Sequence, residues 1–267
     1  MRKTIVCVCT YLMLLVGLSS KMASADEVSV SPSVISQESR LENHISGLYK
    51  TIDFQNGEVL PYDVFNKAYR GYLNLCDAGK LNSQKDIITI CDLAMPSTKN
   101  RMWIIDLANK KVLFNTYVAH GQGSGDDGAL SFSNESSTHK SSLGFYVTTD
   151  TYQGAHGTSL RLDGMDQGFN DAALERGIVV HGAAYVNKNY ISCKDRLGRS
   201  WGCPAVPTNL SLPIIQAIKN GTCLFMYYPE AKYLKNAYWL NKKVAFAPQP
   251  ICDINVPNIE ANQTTTR

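Results

Sequence analysis

The chain has 267 residues, 44% of them hydrophobic and 18% charged, with a formal charge of +3. That length buries a substantial core in one medium domain with an appendage. The excess charge is confined to Arg2, Lys3 and Lys21, so the remainder is balanced, and a balanced chain has no electrostatic footprint for DNA or RNA.

Residues 1–25 read as a secretory signal: Arg2 and Lys3, the apolar run Ile5 to Leu18, then Ala23-Ser24-Ala25 before Asp26. The run is short for a membrane span, and no later stretch is long enough. The expectation is an exported protein with no stable membrane insertion after cleavage. Export places the cysteines in an oxidising compartment. Six follow the signal: Cys76, Cys91, Cys193, Cys203, Cys223 and Cys252. Cys76 with Cys91 and Cys223 with Cys252 are two of the pairings such a set allows.

Residues 26–40 are serine-rich and read as a flexible linker. Residues 41–95 are expected to be a helical N-terminal region, with Val64, Ala68, Tyr72 and Leu75 on one face, Pro61 at a first helical position and Gly79 as a stop. Its aromatics read as packing residues rather than a ligand site. After Pro96 the period becomes that of strands. Met102–Leu107 and Lys111–Ala119 form a hairpin around Ala108-Asn109-Lys110, and further strands fall at Leu143–Thr149, Ser159–Gly164, Ile178–His181 and Thr222–Tyr228. One helix is expected over Leu210–Asn220 and one short amphipathic piece over Tyr233–Leu240. The fold class is therefore mainly β, a sandwich or barrel over residues 96–230, with a small helical N-terminal extension, one or two further helices and a C-terminal tail over 231–267. The glycine-rich stretch from His120 to Gly125 is not a phosphate loop, because Asp126-Asp127 follows where Gly-Lys-Ser/Thr is needed.

Chemistry concentrates between Gly177 and Pro207. His181-Gly182 ends a β-branched run, and Ser200-Trp201-Gly202-Cys203-Pro204 is a glycine-assisted turn, with a polar loop between them. A histidine at a strand end and a cysteine in a tight turn are the parts of a thiol nucleophile and its base. The N–H groups of Gly202 and Cys203 are natural oxyanion donors there. The residues alone leave a second reading open, in which Cys203 is buried or disulfide-bonded, for instance to Cys193, in a non-catalytic binding or structural protein. A metal site is a weaker rival, since no CxxC or HExxH spacing is present; no cofactor is expected.

His181-Gly182 followed by Ser200-Trp201-Gly202-Cys203 resembles the signature of the L,D-transpeptidases, the YkuD-like family. Pro96-Ser97-Thr98, Trp103 to Leu107, Val118 to Gly121, Phe132-Ser133-Asn134, Ser141 to Gly144 and Gly198 to Ala205 are similar to its murein L,D-transpeptidase catalytic domain branch. The resemblance implies a mainly β domain in the periplasm or extracytoplasmic cell envelope. Its partners would be peptidoglycan stem peptides, attacked at an L-centre carbonyl and transferred to an amine (L,D-transpeptidation) or to water (L,D-carboxypeptidation). It also implies Cys203 as nucleophile, His181 as base, the Gly182 carbonyl as the group orienting His181, Gly202 as an oxyanion donor and Ser200 as the family serine. Trp201 stands where many relatives have histidine, and Pro204 where many have Arg or Asn. Arg199 is then the first candidate for a stem carboxylate, with Arg161 and Arg176 behind it, and Trp201 and His156 are candidates to flank the site.

Overall fold

The computed structural model describes residues 36–55 and 57–245. The signal segment, Cys252 and the prolines from Pro248 onward lie outside the described residues.

The first two helices, α1 (Gln37–Thr51) and α2 (Tyr62–Asp77), start at well-defined caps. Ser36 Oγ accepts from the Ser39 N–H and begins α1, so the linker expected over 26–40 gives way to helix at Gln37. Pro61 is the cap of α2 rather than its first residue. Gly79 ends that helix at φ +64, with its N–H on the Cys76 carbonyl and the Lys80 N–H on the Leu75 carbonyl. This paired arrangement closes the orphan carbonyls, and glycine adopts its left-handed backbone without a Cβ penalty.

Eight strands follow: β1 (Ile87–Asp92), β2 (Met102–Asp106), β3 (Lys111–Thr116), β4 (Gly144–Gly154), β5 (Gly157–Gly164), β6 (Val179–Ala183), β7 (Ala205–Pro207) and β8 (Cys223–Tyr227). They form one sheet in the order β3-β2-β1-β8-β4-β5-β6-β7. Pairing is antiparallel except for β1 with β8 and β6 with β7. The segment after β3 then bridges to β7, with the Ala119 N–H on the Ala205 carbonyl at 2.8 Å, so the two ends of the sheet approach and the sheet curls towards a barrel.

β1 lies inside the stretch expected to be helical, between β2 and β8. Its Ile-Ile-Thr-Ile run is β-branched and short, which suits a strand buried on both faces and carries no helical period. The strands separate two cores by strict alternation. Ile88, Ile90, Trp103, Ile105, Phe145 and Phe225 face α1 and α2, whereas Cys91, Met102, Ile104, Tyr146, Leu224 and Met226 face the other way. Phe145 stacks on Phe225 with ring centroids 4.2 Å apart; burying each ring stabilises the fold by about 1.5–3 kcal/mol. Helix α2 comes so close that a Cβ on Gly71 would lie 2.0 Å from the Phe145 ring. The helical preface is therefore one wall of the core, as its aromatic composition suggests.

Helix α3 (Lys188–Lys194) occupies the polar loop between β6 and β7, capped by the Asn187 side chain. Parallel neighbours require a crossover connection, and α3 is part of it. Helix α4 (Thr208–Ile218) packs Ile214, Ile215 and Ile218 into the second core. The residues expected as a tail from 231 begin with α5 (Ala231–Asn236) and α6 (Tyr238–Asn241). Both dock firmly: Tyr233 is buried with its hydroxyl on Asp166, and Asn74 Nδ2 donates to the Trp239 and Lys242 carbonyls. Cys76 is exposed on α2 and Cys91 is buried in the second core, both as free thiols, so the Cys76–Cys91 pairing is not made. No helix among the described residues is long and apolar enough to cross a membrane.

Candidate active site

The parallel pairing of β6 with β7 sets His181 opposite Ala205. Two residues earlier on each chain, the same alignment leaves Cys203 beside Val179. The Val179 N–H reaches the Cys203 sulfur at 3.5 Å, and the thiol faces the Gly177 carbonyl at 3.7 Å. His181 and Cys203 line one cleft of about 470 Å³ with Tyr152, His156, Arg176, Val179, Tyr185, Arg199, Ser200 and Trp201. Two residues separated in sequence thus share one cleft because His181 lies within β6 and Cys203 lies just before its parallel neighbour β7.

His181 is buried, and its Nδ1 lies 3.0 Å from the Gly182 carbonyl oxygen. A carbonyl only accepts, so Nδ1 carries the proton and Nε2 is left as the basic nitrogen. Burial pushes the His181 pKa below its usual value, against the Gly182 bond, and the neighbouring His156 lowers it further. Burial pushes the Cys203 thiol up, although the Val179 N–H and the Arg176 charge oppose this. Both displacements favour a neutral thiol beside a neutral imidazole.

The turn is held by Ser200. Its Oγ accepts from the Gly202 N–H at 3.1 Å and donates to the Cys203 carbonyl at 2.6 Å. The Gly202 N–H, expected as an oxyanion donor, is thus engaged by Ser200 Oγ in this structure. The Cys203 N–H is not engaged by another residue among those described. Gly202 has φ +123, and a Cβ there would lie 2.8 Å from the Lys140 carbonyl oxygen. Ser141 Oγ donates to the Gly202 carbonyl and accepts from the Gly121 N–H, both at 3.0 Å. Behind the turn, Ser200 pairs with the strand-end loop, its N–H on the His120 carbonyl and its carbonyl accepting from Gln122. The sequence does not mark Ser141 and this loop as turn supports, since nothing in their local pattern points to a turn about sixty to eighty residues away.

The candidate recognition residues divide. His156 sits at the tip of the β4–β5 hairpin and stacks on His181, with ring centroids 4.4 Å apart. Trp201 is 71% exposed at the cleft rim and stacks on His139. Arg199 lines the cleft, but its Nη1 is held by the Gly125 carbonyl at 2.8 Å and by Asp126 at 3.1 Å. Arg161 does not line the cleft. It pairs with Asp150 and lies over the Tyr152 ring at 4.4 Å, so it braces a cleft residue from outside the cleft. Tyr152 and Tyr185 were overlooked as cleft residues, although Tyr185 stands four residues after His181. Cys193 and Cys203 are both free thiols. No group of three or more His, Cys, Asp or Glu among the described residues is arranged to hold a metal ion.

No curated protein matches the chain. Among solved structures, it is similar to an L,D-transpeptidase of Enterococcus faecium at 15% identity and TM-score 0.34, covering 54% of this chain and 50% of that one. It is also similar to an L,D-transpeptidase of Mycobacterium smegmatis at 10% identity and TM-score 0.34, covering 54% and 59%. The helical cell shape determining protein Pgp2 of Campylobacter jejuni matches at 13% identity and TM-score 0.38, covering 60% and 57%. The chain thus spans between half and three fifths of the length of these structures. A family profile described as the L,D-transpeptidase catalytic domain matches residues 56–227, which include β1 to β8, His181 and Cys203. With more than half of its length inside that match, the chain belongs to the L,D-transpeptidase catalytic domain family.

Proposed function

We propose that this protein is an exported cysteine acyltransferase of the cell envelope that acts on peptidoglycan stem peptides. The observation that carries the reading is the pairing of Cys203 with His181 in one cleft, the imidazole tied at Nδ1 to Gly182 and free at Nε2. Cys203 Sγ attacks the carbonyl carbon of an L-centre while its proton passes to His181 Nε2. Because the resting pair is neutral, proton transfer accompanies attack instead of preceding it. The Cys203 N–H donates to the developing oxyanion. Collapse breaks the bond to the terminal D-amino acid, whose amine leaves with the proton from His181, and a thioester remains. An acceptor amine then attacks the thioester, gives its proton to His181 and forms the cross-link, while the sulfur leaves and is reprotonated.

His156, Trp201, Tyr152 and Arg199 form the walls against which a stem lies. The test is intact-mass analysis after exposure to a tetrapeptide stem or a carbapenem. A single covalent adduct on Cys203 is expected, absent from Cys203→Ala, which should keep its fold. An unmodified wild-type protein would sink the proposal. Decay of the adduct in water at the rate seen with an amine would replace transfer by hydrolysis.

A further inference from the structure

Arg176 lies on the loop that enters β6, and its guanidinium is half-buried between the catalytic turn and the Ser133–Ser142 segment. Nη1 donates to the Ser133 carbonyl at 2.8 Å and to Ser142 Oγ, and Nη2 donates to the Lys140 carbonyl at 2.7 Å. All three acceptors are neutral. Among the described residues Arg176 has no carboxylate partner, whereas Arg199, the other arginine of the cleft, is paired with Asp126. A half-buried arginine held only by neutral acceptors keeps more of its field at short range than one ion-paired in open solvent, because no carboxylate bonds to it and water reaches only part of it.

That field is directed at the turn. A Cβ on Gly202 would lie 2.8 Å from the Lys140 carbonyl oxygen and 3.4 Å from Arg176 Nη2, so the turn packs against this hydrogen-bonded pair. Ser141, between Lys140 and Ser142, two of the three residues that Arg176 holds, donates to the Gly202 carbonyl at 3.0 Å. Along Arg176's own chain, the Gly177 carbonyl and the Val179 N–H flank the Cys203 sulfur. One side chain therefore links the segment that grips the turn from one side to the strand entry that touches the sulfur on the other.

We propose that Arg176 is a positioning residue for the reaction: it clamps the Ser133–Ser142 segment onto the Gly202–Cys203 turn and supplies the unpaired positive charge that favours the Cys203 thiolate. This role rests on Cys203 being the nucleophile, but it differs from recognition of a stem carboxylate and needs no substrate. The other titratable or charged groups of the cleft are His181 on β6, His156 at the hairpin tip, Tyr152 on β4, Tyr185 after β6 and Arg199, whose charge is paired with Asp126. Glu175 and His139 lie with Arg176 along an adjoining cleft of about 350 Å³. Arg176 is the cleft's one permanent cation among the described residues without a carboxylate partner.

The test is the pH dependence of iodoacetamide alkylation at Cys203, followed by peptide mass mapping in the full chain. Arg176→Gln keeps amide donors but removes the charge. Its alkylation midpoint should rise by about one unit, making the reaction about tenfold slower at pH values below both midpoints. Arg176→Lys should keep the midpoint near that of wild type while lowering kcat for acyl transfer, because a point charge does not span three acceptors. A purely structural role would lower activity in both variants with no movement of the midpoint. An unchanged midpoint in folded Arg176→Gln overturns the proposal. Should that variant fail to fold, a salt series on wild type decides: screening should raise the midpoint between low salt and about 1 M, and a flat series overturns the charge role. Alkylation does not depend on acyl transfer, so a shifted midpoint in a protein that takes no acyl group would retire the proposed activity and leave this assignment standing.

Discussion

The imidazole of His156 lies almost parallel to that of His181, with ring centroids 4.4 Å apart and planes 24° from one another. The two rings come from different elements, one from the tip of the β4–β5 hairpin and one from the interior of β6. Stacking shields His181 from water and sets a second ionisable ring beside it. Both effects disfavour the imidazolium, with burial the larger.

The acid limb of kcat/KM should therefore fall below the ordinary histidine range. The rate is lost only as pH drops through the depressed His181 pKa, since the base must be neutral to accept the thiol proton. His156→Gln removes shielding and charge together, so its acid limb should move upward, towards the usual value. A profile unchanged by the substitution would show that the stack has no part in tuning the base.

Ser200→Ala removes the acceptor of the Gly202 N–H and the donor to the Cys203 carbonyl in one step. Each bond contributes on the order of 1 kcal/mol. A stability loss of about 1–3 kcal/mol in denaturant titration is expected, with kcat falling by about ten- to a hundredfold. The loss in kcat should exceed any change in KM, because the turn aims the sulfur rather than binding the stem.

Gly202→Ala should be worse. The residue sits at φ +123, and the new methyl would meet the Lys140 carbonyl oxygen at 2.8 Å and Ile178 Cδ1 at 3.1 Å. Backbone strain alone costs about 1–3 kcal/mol. Loss of iodoacetamide-reactive Cys203 in a protein that still unfolds cooperatively is the expected result.

Arg161→Ala should leave kcat intact and raise KM by about two- to fivefold, which is the value of an exposed cation–π contact holding Tyr152. Its ion pair with Asp150 lies at the surface and adds little. A loss of several orders in kcat/KM would restore Arg161 to the stem carboxylate.

Acid stability should be governed in part by His120, which backs the Ser200–Cys203 turn through its carbonyl. Arg101, fully buried, donates from Nη2 to His120 Nδ1 at 2.7 Å, which requires a neutral imidazole. Burial first, and the Arg101 charge second, push the His120 pKa down to about 4. The folded pKa is below the unfolded one, so the stabilisation is complete above the unfolded value. It fades as pH falls from about 6.5 towards 4, by on the order of 3 kcal/mol. His120→Asn should flatten the pH dependence of the unfolding midpoint across that window.

Much of the fold was legible in the pattern of residues. The hairpin around Asn109, the strand from Thr222 and the helix before Gly221 announce themselves through alternation and stop signals, all local properties. β1 was not, because Ile87 to Asp92 is buried on both faces and shows neither alternation nor helical period. Helix α3 was hidden for a different reason: it is short, polar and largely exposed, and it exists because β6 and β7 are parallel and need a crossover.

By itself, the sequence singled out the pair, since a thiol in a glycine turn and an imidazole at a β-branched strand end are residue types suited to a nucleophile and a base, and the family resemblance tipped that reading over a locked, non-catalytic cysteine. The tertiary structure alone decided which groups serve that pair. It engaged the Gly202 N–H with Ser200, turned Arg161 away towards Asp150, and left Arg176 without a counter-ion against the turn. Those assignments depend on hydrogen bonds and charges between residues brought together by sheet order. Such contacts carry no periodicity along the chain, so they take form only when β4, β5, β6 and β7 have paired.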